Sequence, residues 1–171
     1  MGPLRTEIEI DVPRERVFET IADLAARPSF TDHFLTDFHL TRLEATGVGA
    51  GARFKARGPL RSVWMDTVIA DLSLPFRVVE EGRGGRGNRI CTHTVWELTE
   101  GPGSLTAVRV SHWTEPNGID RALEILSAGS IWQERGWREA LRRLRDQLES
   151  DAVATERIAV AGGNRYATGI P

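Results

Sequence analysis

From Glu7 to Val12 the chain alternates, with Ile8, Ile10 and Val12 apolar and Glu7, Glu9 and Asp11 charged, the period of a strand with one buried and one wet face. At Pro13 the period lengthens. Val17, Phe18, Ile21 and Leu24 follow at helical spacing, so an amphipathic helix begins there, with Pro13 in the first turn, where its missing N–H costs nothing. Arg27-Pro28 ends that helix, because the residue before a proline is driven out of the helical region. Ser29 to Leu35 predicts a second short helix that offers Phe30 and Phe34 to the interior. A strand is expected over 36–45, closed by the glycine-rich Gly47 to Gly51, then further strands over 52–57, 61–72, 76–82, 89–99 and 105–115. Their short Gly- and Pro-rich connections are those of antiparallel hairpins.

A long helix should run from an Asn117 cap to about Glu149, with Ile119, Leu123, Leu126, Ser130, Trp137 and Leu141 on its buried stripe. Gly129-Ser130 is a candidate bend, and Ile125 and Trp132 fall off the stripe. After Asp151 the pattern lapses, so residues 1–150 form the expected domain and 151–171 an extension without a core of its own.

Strand parity gives the candidate chemistry. Trp96 shares a face with Thr92 and Thr94, Val110 shares one with His112, and Trp64, Asp66 and Val68 form a third set. Pointed inward, these would combine aromatic walls with a few polar groups, the usual make-up of a small-molecule site. Phe30, Phe34, Leu126 and Ser130 complete the expected wall. Each residue also has a plainer reading, as core for the tryptophans, a strand-end hydrogen bond for His112 and a surface carboxylate for Asp66. The strand over 61–72 is the ambiguous one, since Val63, Met65, Thr67 and Ile69 on its other face are also largely apolar. Either that outer face is covered, by the tail or by a second subunit in a homodimer, or the inward assignment is reversed.

Composition narrows the classes. A net charge of −2 gives no bulk electrostatic case for nucleic acid or a membrane surface. Arginine supplies almost all the cations, Lys55 being the only lysine, as in proteins from GC-rich bacterial genomes. Cys91 is alone, which rules out an internal disulfide and fits a cytoplasmic setting, and no apolar run reaches the ~18 residues of a membrane span. His33, His39, His93 and His112 contain no i, i+4 pair, so neither a metal nor another cofactor is expected. The glycine runs at 47–52 and 82–87 match the letters of a dinucleotide fingerprint, but both lead into strand-like sequence and lack the helix that would hold a pyrophosphate.

Taken together, the strand ending in Val12-Pro13, the helix R-E-R-V-F-E-T-I-A-D-L, Phe30 after Arg27-Pro28, the run G-V-G-A-G-A-R-F, the L-P-F turn and the strand W-E-L-T before a long terminal helix resemble the START-like (SRPBCC) superfamily. Within it, the chain is similar to the polyketide cyclase/dehydrase and lipid-transport group. The resemblance covers about residues 5 to 149. It implies an α+β helix-grip fold, in which a seven-stranded antiparallel sheet curls around the C-terminal helix and two short helices follow the first strand. It also implies a hydrophobic or amphipathic ligand in the cavity between sheet and helix. Three functions follow as expectations: a non-enzymatic binder of a lipid, polyketide or similar molecule; a cyclase or dehydratase in which Asp66 or His112 moves a proton; and a protein-interaction module, suggested by the apolar outer positions and Trp132.

Overall fold

The computed structural model describes residues 3–116 and 129–162. Strand β1 (Leu4–Asp11) is followed by helices α1 (Arg14–Ala22) and α2 (Pro28–Thr31), then by β2 (Leu35–Leu40), β3 (Gly51–Arg57), β4 (Ser62–Ser73), β5 (Arg77–Gly84), β6 (Ile90–Glu100), β7 (Leu105–Pro116) and helix α3 (Gly129–Gly162). The seven strands form one antiparallel sheet in the order β1-β7-β6-β5-β4-β3-β2. Strands β2 to β7 are thus a simple meander, and β1 returns to pair with β7. This is the expected α+β helix-grip architecture, a curled sheet closed over a C-terminal helix.

The apolar periods explain how the layers meet. Ile10 from β1 and Val12 just after it, Val17 and Ile21 from α1, Trp96 and Leu98 from β6, Val108 and Val110 from β7, and Leu141, Leu144 and Leu148 from α3 belong to one buried cluster. Helix α3 is anchored to the sheet edge where the Asp11 N–H donates to Glu149 Oε1 at 3.0 Å. At its other end the helix meets the segment after α2. A Cβ on Gly136 would stand 2.7 Å from the Phe34 ring, and His33 Nε2–H donates to the Gly136 carbonyl at 3.0 Å. Only a residue without a side chain permits that approach.

Several boundaries differ from expectation, each for a local reason. Helix α1 stops at Ala22, short of Arg27, because Asp23 Oδ1 accepts the Ala25 N–H at 2.8 Å and turns the chain. Helix α2 is a single turn, and the segment from Asp32 carries Phe34 onward into β2. Strand β2 ends at Leu40 rather than Ala45, after a bulge in which Asp37 takes φ 52°. Strand β5 runs two residues past Gly82. Gly82 and Gly84 lie on its buried face, and the turn is made instead by Gly85, Gly87 and Asn88, all at positive φ. Helix α3 continues to Gly162 instead of ending near Glu149: Ala152 to Ala161 holds no proline or glycine, so helix propensity carries it on until Gly162-Gly163. The expected Asn117 cap, Ile119, Leu123, Ile125 and Leu126 lie outside the described residues, as does the side chain of Ser130.

Strand β4 has the opposite parity to the one assigned. Met65, Thr67 and Ile69 are buried, whereas Trp64 is 40% exposed and the Asp66 side chain is half-exposed beside Arg53 at 3.7 Å. Trp64, Asp66 and Val68 therefore face outward. The outer face is covered by its own charged neighbours, Arg53 and Lys55 standing over the Trp64 ring at 5.3 and 4.8 Å from its centroid, so its apolar look reflects cation–π packing rather than burial. Ile69→Arg should accordingly cost more than about 4 kcal/mol by placing an unpaired charge in the core, while Val68→Arg should stay within about 1 kcal/mol. Urea denaturation of the two variants measures this, and equal or inverted losses contradict the parity.

Candidate functional site

The inner face of the sheet is apolar near α1 and becomes polar toward the open end of α3, and the change follows the strand register. Val78, Trp96 and Val110 are cross-strand partners on β5, β6 and β7, all fully buried. One step along the inward face, the partners are Glu80, Thr94 and His112. A further step gives Gly82, Thr92 and Thr114. Because neighbouring strands lie ~4.8 Å apart, the carboxylate of Glu80 and the imidazole of His112 stand two strand spacings apart with Thr94 between them.

A cavity of about 170 Å³ opens over these polar rows, more than ten times the ~10–15 Å³ that holds a single water. Phe34, Leu35, Phe38 and Phe54 form one wall, and Met65, Ile90 and Trp137 another. Thr67, Glu80, Thr92, Thr94, His112 and Thr114 supply the polar lining, with Arg27 at the inner end. The hairpin between β3 and β4, Arg57 to Arg61, and Trp132 and Gln133 of α3 border its mouth. Leu60 and Trp132 are exposed there, 73% and 40% respectively.

Of the residues expected to line a site, Phe34, Thr92, Thr94 and His112 do so. Phe30, Trp96 and Val110 do not: each is fully buried in the core behind the cavity, Phe30 edge-on to Trp96 at 6.4 Å between ring centroids. Trp64 and Val68 are on the far side of the sheet, and so is Asp66, whose partner is Arg53. Leu126 and the Ser130 side chain lie outside the described residues.

Two cavity residues carried no recognisable signal. Arg27, 2% exposed, and Glu80, 5% exposed, form an ion pair of 2.7 Å. Arg27 Nη2 also donates to the Ile21 carbonyl at 2.8 Å, and its guanidinium lies 4.8 Å from the Trp96 ring centroid. Trp96 Nε1–H donates to the same Glu80 Oε1 at 2.8 Å. Dry ion pairs of this kind contribute little net stability, but removing one partner alone leaves a buried charge and costs roughly 3–5 kcal/mol. In the sequence Arg27 reads as a helix terminator, and Val78-Val79-Glu80-Glu81 fits either parity equally.

His112 is held as a neutral imidazole. Thr114 Oγ1 donates to Gln133 Oε1 at 3.2 Å, so its oxygen is free to accept Nε2–H of His112 at 3.3 Å. Nδ1 then accepts from Thr94 Oγ1 at 2.9 Å. The ring packs against Trp137, 5.5 Å between centroids. Burial, reinforced by the charge of His93 on the other face, pushes its pKa down to about 4 from 6.5. Burial likewise lowers His33. No group of three or more metal-ligating side chains is assembled among the described residues, and no described helix is long and apolar enough to cross a membrane.

The depressed His112 value fixes a direction for acid stability. Below 6.5 the unfolded chain takes up a proton that the folded chain refuses until about 4, so stability is full above the first value and is lost as pH falls through that window. The contribution is up to about 3 kcal/mol. Chemical denaturation from pH 7 to pH 4 should show the fall, and His112→Asn should flatten it; an unchanged slope in that variant would place the acid sensitivity elsewhere.

Comparison with known proteins agrees with this fold. The family described as Activator of Hsp90 ATPase homolog 1-like protein matches residues 11–149. No curated protein matches the chain in sequence. Among solved structures, TTHA0849 from Thermus thermophilus is 17% identical with a TM-score of 0.65, the match covering 87% of this chain and 98% of that one. The KanY protein is 14% identical with a TM-score of 0.67, over 87% and 99% of the two chains. DynU16, from the dynemicin biosynthetic locus, is 17% identical with a TM-score of 0.58, covering 88% of this chain and 48% of its own.

Proposed function

The chain belongs to the Activator of Hsp90 ATPase homolog 1-like family of the START-like (SRPBCC) superfamily, and from that premise we propose that it binds a hydrophobic or amphipathic small molecule, a lipid, polyketide or similar compound, between the sheet and α3. The observation that carries the reading is the cavity itself, with aromatic and aliphatic walls and polar groups gathered mainly on adjacent rows of β5, β6 and β7. Such a site draws affinity from apolar burial at roughly 25 cal/mol per Å² and orientation from a few fixed polar atoms. His112 fixes the Thr94 and Thr114 hydroxyls of that lining, because its two ring nitrogens are bonded to them.

A cyclase or dehydratase is the second reading, favoured by the carboxylate and imidazole flanking Thr94 and by the likeness to DynU16 from a biosynthetic locus. Its chemistry fits less well. A group with a pKa of about 4 is almost never protonated at neutral pH and is a weak base there, whereas general acid–base catalysis works best near the operating pH. Asp66, the other expected proton carrier, is outside the cavity. A site that binds and orients is the simpler account.

Native mass spectrometry of the protein purified from its own host should show a bound small molecule. A ligand present at about 100 times its Kd should stabilise the fold by ~2.7 kcal/mol, which raises Tm by roughly 5–10 °C for a chain of this size. A consistently empty protein that no lipid, quinone or polyketide shifts in a thermal screen would refute the proposal. Replacing His112 and Glu80 together without loss of turnover on an identified substrate would remove the catalytic reading.

A further inference from the structure

At the inner end of the cavity a buried carboxylate keeps one oxygen free to accept, beside a guanidinium of which only Nη2 is engaged. Arg27 Nη2 and Trp96 Nε1 both donate to Glu80 Oε1, at 2.7 and 2.8 Å. Oε2 of the same carboxylate has no partner among the described residues. It is also absent from the fully enclosed unpartnered polar atoms, which are Arg14 Nε, Arg27 Nε and His33 Nδ1. Oε2 therefore keeps accessible surface, and the space that Glu80 borders is the cavity. At the other end of the row, His112 Nδ1 and Nε2 are both engaged by threonine hydroxyls. The described inner wall thus offers Glu80 Oε2 as an acceptor, with Arg27 Nη1, likewise without a hydrogen-bond partner among the described residues, beside it and walls of Phe34, Phe38, Phe54 and Met65 around them.

We infer that Glu80 Oε2 is the anchor for a hydroxyl carried on a flat apolar ring, so that the ligand class is a neutral hydroxyaromatic or enolic molecule rather than a fatty acid or an organic cation. This rests on the small-molecule reading above and narrows it. The charges decide between head groups. A ligand carboxylate would find a donor in Arg27 Nη1, whose Nη2 is spent on Glu80 Oε1 and the Ile21 carbonyl, but would set a second negative charge against Glu80 in a dry site, where like charges are costly. An ammonium would be drawn to Oε2 but would sit beside the Arg27 guanidinium in a dry site, where like charges are costly. A hydroxyl brings the donor that Oε2 lacks and no net charge. Hydrogen bonds to a charged partner are among the stronger ones in proteins.

Three probes with one bicyclic body separate the possibilities: 2-naphthol, 2-methylnaphthalene and 2-naphthoate, titrated calorimetrically into the full chain at neutral pH. We expect 2-naphthol to bind about tenfold or more tightly than 2-methylnaphthalene, the increment of one charge-assisted hydrogen bond, and 2-naphthoate to bind most weakly. The paired variant Arg27→Met with Glu80→Gln removes both charges while keeping an oxygen to accept from Trp96, so the amide NH2 takes the place of Oε2. It should abolish the naphthol preference and favour 2-acetylnaphthalene, which carries an acceptor. Should that pair fail to fold, Glu80→Asp keeps the charge and withdraws it by one methylene, and should weaken 2-naphthol while leaving 2-methylnaphthalene unchanged. Equal binding of 2-naphthol and 2-methylnaphthalene, tighter binding of 2-naphthoate, or a preference that survives these variants overturns the anchor yet leaves hydrophobic binding intact. If none of the probes binds, the anchor for a flat hydroxyaromatic ligand is overturned, while the small-molecule reading stands or falls by the native mass spectrum and the thermal screen.

Discussion

The placement of Trp137 governs how the helix and sheet divide the interior. Its ring meets Phe34 at 5.2 Å, Trp96 at 5.4 Å and His112 at 5.5 Å between centroids, so one side chain of α3 touches the segment after α2 and two adjacent strands. Toward the C-terminus, Ala140, Leu141, Leu144 and Leu148 are buried in the same apolar cluster as Ile10, on the β1 side of the helix. Toward the N-terminus, Gln133 and Trp132 border open space. Trp137 is where close packing stops. A large rigid ring held by edge-to-face contacts can end a core in this way without collapsing into the space beside it.

The second organising interaction is electrostatic. Arg27 stands on the turn between α1 and α2, and its ion pair with Glu80 ties that turn to the middle of the sheet. Stacking over Trp96 and the bond from Trp96 Nε1 lock the same carboxylate from another direction. One dry network therefore sets the depth of the cavity and also determines which oxygen remains available inside it. Structural and recognition roles are difficult to separate at Glu80, because the bonds that fix Oε1 are what leave Oε2 unmet.

Much of the fold was readable because most of its faces differ sharply in polarity. The alternation from Glu7 to Val12 and the stripe through Trp137, Leu141 and Leu148 each admit one orientation, and the structure adopts it. Strand β4 failed because Trp64 and Val68 look like core, although the cations covering the Trp64 face come from β3, a neighbour that single-strand parity does not include. At the site, Thr92, Thr94 and His112 followed from parity on β6 and β7, and Phe34 from its place near α2. Arg27 and Glu80 did not, since a buried ion pair is a property of two segments 53 residues apart and neither half is distinctive alone. Phe30, Trp96 and Val110 were correctly read as interior, but a sequence pattern does not tell core from cavity wall.

Gly82 and Gly84 alternate with the charged side chains of β5 and leave two vacant positions on its inner face. A Cβ at Gly82 would run into Thr92 Oγ1, and one at Gly84 into Met65 Sδ and the Trp64 carbonyl. Thr92 and Met65 both line the cavity, so these wall residues rest in hollows that the glycines provide. The interior can therefore be reshaped from the sheet that floors it. A small side chain at Gly82 would push Thr92 aside and narrow the chamber while the row of Glu80, Thr94 and His112 stayed in place, whereas one at Gly84 would strike the Trp64 carbonyl and force β4 away from β5. Relatives that share this scaffold could diversify the molecules they accept through changes in the lining's support, with the polar chemistry carried through unaltered.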